Sequence, residues 1–203
     1  MLNFLSSIYF AFLASYCVLA LAYGDRSLRQ LLNRLFFLIS ALLVVVCAVR
    51  INSPDQITYS KIFDLIPDLT AFTNASRYIV IPTISEEHFW VDYGFAIFIS
   101  VLKTLNLDQI WMFAFAAFIN ISVAAWFCRR FSPEPILSFC LFMSWYFYPT
   151  IGAMRHGFAM AIFMLLFGYV LDKKWLKSAT IGLIGVSVHK ILLLAAPFYF
   201  VFR

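Results

Sequence analysis

Between residues 110 and 128 the chain carries no charged side chain. About 20 apolar residues are enough to cross the hydrocarbon core of a bilayer as a helix. This run has company: residues 3–22, 35–49, 136–151, 152–171 and 178–202 are comparable, and 93–102 is a shorter example. A soluble domain holds about 45–50% apolar and about 25% charged residues; here the figures are 64% and 12%. The 24 Phe and 10 Tyr would need a larger core than a chain of 203 residues encloses. The sequence therefore predicts an all-α fold, a polytopic transmembrane helix bundle. It would have about six spanning helices, with 93–102 as a short re-entrant or surface helix. Residues 1–203 read as a single integral membrane domain. The first run lacks a basic leader and a clear cleavage site, so it reads as a retained helix.

Basic residues in short loops mark the cytoplasmic side. They gather at 25–34, 129–130 and 173–177. If every run crosses, the three groups cannot share a face. If 93–102 does not cross, all three are cytoplasmic, and the N-terminus and residues 50–92 lie outside. That extracytoplasmic loop contains Pro54, Pro67 and Pro82, and DQITYSKIFDLI is its best helical stretch. The net charge of +5 is then loop bias and does not call for a nucleic-acid partner. Cys17, Cys47, Cys128 and Cys140 lie in apolar runs without metal-type spacing and read as packing residues.

Two runs contain charges that an apolar helix should exclude. MRHGF places Arg155 and His156 in one, and VHKIL places His189 and Lys190 in another. An ion at mid-bilayer costs at least ~2.5–3.5 kcal/mol on insertion scales, so such groups need a partner, a wet cavity or a nearby interface. Arg155 falls at the outer end of its helix, where it can bind an anion through its planar fork or snorkel to headgroups. His189 lies roughly 18 Å above the inner boundary at 1.5 Å per residue, in the outer half of the membrane. Neighbouring helix residues point about 100° apart, so only one of His189 and Lys190 faces the cavity shared with Arg155.

Other groups carry less. Arg50, Asp55 and Tyr59 open the outer loop, as an ordinary juxtamembrane Arg and a capped helix also would. Glu86, Glu87, His88 and Asp92 cluster, but without HExxH or a second nearby His they read as a solvated loop, and no metal is expected. Trp90, Trp126, Trp145, Tyr146 and Trp175 fit interfacial belts. There is no P-loop, no GxSxG and no dinucleotide fingerprint, and no cofactor is implied.

The order of these elements resembles the EpsG/Wzy-type polysaccharide polymerases. VRINSPDQITY supplies Arg50, Asp55 and Tyr59; VDYGFAIFISVL supplies Asp92, Gly94 and Phe95. MRHGFAMAI supplies Arg155, His156, Gly157 and Ala159, and VHKILLL supplies His189 and Lys190. The likeness runs from Arg50 to Pro197. It departs from the family pattern at Ser53-Pro54 (usually Gly-Thr), Asp92 (Glu), His156 (Gln) and Ile191 (Ser). Family members continue through further helices, so the resemblance implies the N-terminal part of a larger GT-C-like fold in the bacterial inner membrane.

The implied reaction is glycosyl transfer between oligosaccharide repeat units carried on undecaprenyl or another polyprenyl diphosphate. Asp55, Asp92 and His189 are the candidate bases. Arg50, Arg155, His156 and Lys190 are the candidate diphosphate ligands. Membrane lipids and other polysaccharide-assembly membrane proteins would be the further partners. The competing expectation is a truncated, non-enzymatic homologue that modulates a full-length polymerase, or a transporter-like membrane protein.

Overall fold

The computed structural model describes residues 14, 26–48, 56–72, 80–82, 88–151 and 153–195. The expected helix at 3–22 (apart from the helical Ala14), Cys17, Arg50, Asp55, Glu86 and Glu87 lie outside the described residues. The architecture is helical. In order come α1 (Arg26–Ala48), α2 (Gln56–Leu65), α3 (Leu69–Phe72), α4 (Tyr93–Thr104) and α5 (Gln109–Phe131). They are followed by α6 (Pro135–Ile151), α7 (Met154–Leu171), α8 (Trp175–Val188) and a 3₁₀ helix, Lys190–Ala195. Between α3 and α4 a short antiparallel ribbon pairs β1 (Val80–Pro82) with β2 (His88–Trp90), in the register Val80 to Trp90 and Pro82 to His88. Nothing in the sequence pattern marks this ribbon. Each strand has three residues, too few for a period-2 pattern to be visible.

Most apolar runs become helices close to their expected limits. The exceptions have local causes. Helix α1 begins nine residues before the expected 35, because RSLRQLLNR contains good helix formers and neither Gly nor Pro. The expected continuous run 178–202 is broken: α8 ends at Val188 and His189 takes an extended conformation, φ −157 and ψ 116. The chain then tightens into the 3₁₀ helix. Gly185 allows the reversal, since a Cβ there would stand 2.6 Å from both Ile162 on α7 and Leu192 on the 3₁₀ helix.

Helix α5 divides the core. Its later half packs Ala117, Ile121, Ala124 and Cys128 with Phe36, Leu43 and Cys47 of α1 and with Phe139, Cys140 and Met143 of α6. Its first turns pack Met112, Phe113 and Ala116 with Ile62, Phe63 and Ile66 of the α2 segment, Phe95 and Ile99 of α4, and Met154 and Phe158 of α7. The alanines let neighbouring backbones come close. Cys47, Cys128 and Cys140 are buried and not joined in disulfides, as packing residues should be.

The molecule thus has two distinct ends. At one, Arg130 of α5 grips Asp172 after α7 through two 2.8 Å hydrogen bonds, and Lys174 approaches the same carboxylate at 3.4 Å. The first turns of α7 lie at the other end, about 27 Å away along a helix of 18 residues. Two described helices, Gln109–Phe131 and Met154–Leu171, are long and apolar enough to cross a membrane. Leu35–Ala48, Tyr93–Thr104, Pro135–Tyr146 and Trp175–Val188 are shorter apolar helices.

Candidate functional site

The start of α4, the start of α7 and the end of α8 meet at the end remote from Arg130. Asp92 occupies the N-cap position of α4, where an Asp side chain normally accepts a hydrogen bond from the first turn. Here it makes no such bond; only its carbonyl serves the helix, accepting from Ala96 N–H at 3.0 Å. Its carboxylate is turned away, placing Oδ2 3.3 Å from Arg155 Nη1 and 3.6 Å from His189 Nδ1. One oxygen therefore ties together side chains 63 and 97 positions further along the chain, the first separation being the one between Asp92 and Arg155. All three side chains are less than one-fifth exposed.

Arg155 is held from behind as well. Its backbone N–H donates to the Tyr59 hydroxyl at 3.1 Å, so α2 supplies a cap that α7 lacks within its own sequence. Tyr59 is buried edge-on against Phe95, with ring centroids 6.0 Å apart. Tyr146 of α6 donates its hydroxyl to the carbonyl oxygens of His156 at 3.1 Å and Gly157 at 2.9 Å. That corrects the expectation that Tyr146 belongs to an interfacial belt: it is buried and braces the first turn of α7. Hydropathy cannot separate the two cases, because both put a Tyr near a helix end. Trp145, beside it, is 88% exposed.

His189 has both ring nitrogens buried and without a hydrogen-bond partner among the described residues. At 3.6 Å its approach to Asp92 is an ion-pair distance rather than a hydrogen bond. His156 stands edge-to-face against it, with centroids 4.9 Å apart, and is exposed. Lys190 is also exposed and outside the Asp92 ion pairs. The two neighbours do part company, but not by the 100° step of a helix. The break at His189 turns its ring inward and starts Lys190 on a new helix.

Asp92, Arg155, His156 and His189 are thus brought together, with Tyr59 and Tyr146 as supports. An Arg and a neighbouring His beside one carboxylate form a group able to hold an anion, accept a proton from a hydroxyl, or do both. Among the described residues no cluster of His, Cys, Asp and Glu has the form of a metal site.

The family model described as EpsG family matches residues 33–203. The chain belongs to the EpsG family. The match takes in Asp92, Arg155, His156 and His189, and every helix that positions them. Comparison with curated proteins and with solved structures finds no match.

Proposed function

We propose that this EpsG-family protein is a multi-pass inner-membrane glycosyltransferase of polysaccharide assembly, joining repeat units carried on polyprenyl diphosphate. The observation that carries the reading is the sharing of the Asp92 carboxylate by Arg155 and His189, at the positions where the family resemblance places its polar motifs. Large outward-facing apolar residues support the membrane setting. Phe37 is 74%, Leu176 83% and Leu183 77% exposed, which water would penalise and lipid would not. About six crossings fit this setting, with α4 staying near the outer surface among α2 and the first turns of α5 and α7. Residues 50–92 then lie outside, and 129–130 and 173–174 share the cytoplasmic side.

In the reaction, the bond from the donor sugar's anomeric carbon to the diphosphate oxygen breaks. A new bond forms from that carbon to an acceptor hydroxyl oxygen, and the hydroxyl proton passes to a protein base. The diphosphate leaves with the bonding electron pair, and a fixed cation stabilises that charge. Arg155 is the cation best placed for it, with His156 and Lys190 at the exposed rim. His189 takes the proton, because neither ring nitrogen makes a hydrogen bond among the described residues, while Asp92, at ion-pair distance, orients both side chains. The family resemblance adds Asp55 and Arg50, which lie outside the described residues, to the same set.

The test is complementation in a strain lacking its own copy, reading glycan length on a gel. Arg155→Lys and His189→Ala should each abolish long chains at normal protein level in the membrane. Lys retains the charge of Arg155 but loses its bidentate fork. Wild-type chain length in both variants would overturn the reading. Loss of protein in both would assign the cluster to folding alone.

A further inference from the structure

We propose that the cleft between α1 and α5, at the end remote from Asp92, seats the phosphate of an anionic phospholipid on Arg129. The cleft is roughly 640 Å³ and is lined by Phe36, Ser40, Ser122, Trp126, Arg129 and Arg130. That volume falls within the ~300–1,000 Å³ typical of ligand sites.

The two arginines differ in their commitments. Arg130 is spent on Asp172. Arg129 is exposed and has no acidic partner among the described residues; its guanidinium lies 6.0 Å from the Phe36 ring centroid. This cation–π contact fixes the group over α1 without neutralising it. Ser122 adds a hydroxyl that makes no hydrogen bond among the described residues, whereas Ser40 donates to the Phe36 carbonyl at 2.8 Å. The donors are thus Arg129 and Ser122, and the walls are aromatic.

That combination selects the ligand. Free phosphate would satisfy the donors but gain nothing from Phe36 and Trp126. A phospholipid satisfies both, with its phosphate on Arg129 and its chains against the apolar faces of α1 and α5. The charge of this end favours an anionic lipid. Among the described residues, Arg129, Arg130, Lys173 and Lys174 stand in segments whose acids are Glu134 and Asp172, and Arg26, Arg29 and Arg34, which follow Asp25 in sequence, belong to the first turns of α1. Basic pockets between helices on the cytoplasmic side suit such headgroups.

This rests on the membrane setting proposed above, which is tested separately by whether the protein requires detergent for extraction. The purified full chain is then exposed to phosphatidylglycerol, phosphatidylcholine or inorganic phosphate, and retained lipid is read by native mass spectrometry. Phosphatidylglycerol should be preferred over phosphatidylcholine. Arg129→Gln should lower its retention about fivefold, the equivalent of one basic residue near an anionic headgroup. Ser122→Ala should lower it less, and Lys177→Gln, a charge change outside the cleft, should leave it unchanged. Equal loss with Lys177→Gln would reduce the effect to general surface charge and overturn the site. Unchanged retention in Arg129→Gln, or displacement of the lipid by inorganic phosphate at equal concentration, would overturn it too. Because the readout is bound lipid, it is independent of polymer formation.

Discussion

Gly94 meets the backbone of Ser187 so closely that a Cβ would stand 2.8 Å from both its carbonyl carbon and its carbonyl oxygen. This contact brings the first turn of α4 against the last turn of α8, two residues from Asp92 on one side and two from His189 on the other. Backbone atoms cannot swing aside as a side-chain tip can. Gly94→Ala should therefore push α4 away from α8 and widen the gap between Asp92 and His189. The expected result is loss of long-chain polymer together with destabilisation of about 1–3 kcal/mol, typical of overpacking. Retention of both wild-type chain length and wild-type thermal midpoint would mean that the contact is slack.

Tyr59→Phe removes one oxygen and leaves the ring against Phe95. The Arg155 N–H then loses its acceptor at the start of α7. Stability should fall by about 0.5–1.5 kcal/mol, the net worth of one hydrogen bond. Hydrogen exchange at the Arg155 amide should speed up while amides in the middle of α7 keep their protection. Uniform loss of protection along α7 would show that Tyr59 supports the whole helix rather than its first turn.

The sequence disclosed the parts of this site but not the way they are joined. Arg155 and His189 stood out because charge in an apolar run is costly, and that cost can be read without coordinates. By cost alone Asp92 did not stand out from Glu86, Glu87 and His88, since a carboxylate in a polar loop costs nothing until the fold sets it beside Arg155; the family resemblance was what singled it out. The break at His189 was hidden for a related reason. The run 178–202 keeps its hydropathy through the break, and contacts involving Gly185, Leu192 and Asp92 decide where the helix stops. Helix α5 was legible to within three residues, the expected 110–128 against Gln109–Phe131, because its length and apolar content left little alternative.

At the opposite end, Asp172 has a carboxyl held below its ordinary value, first by its hydrogen bonds from Arg130 and then by the charges of Arg130 and Lys174. A folded-state pKa below the unfolded one adds stability that is fully present above the unfolded value, near 3.9, and is lost as pH falls through the folded value. Wild type should therefore have a higher thermal midpoint than Asp172→Asn at neutral pH, and the gap should close on acidification below about pH 4. A gap that persists at low pH would show that the carboxylate's charge is not what stabilises this end.

Asn120 sits midway along α5, is 2% exposed, and has no hydrogen-bond partner among the described residues for either side-chain polar atom. A buried amide left unpaired costs about 1–3 kcal/mol by mutational measures. Ala also favours a helix over Asn by up to about 0.7 kcal/mol. Against these gains stands the small cavity left where the amide was, and neighbouring Ala116, Ala117 and Ala124 have little reach to fill it. The balance favours Asn120→Ala, with a net stabilisation of about 1 kcal/mol. Thermal unfolding of the purified protein checks this as a raised midpoint. A lowered midpoint would mean that the amide has a partner in solution, such as a bound water. A raised midpoint accompanied by shorter glycan would show an amide retained for activity at the expense of stability, the usual standing of polar groups inside membrane helices.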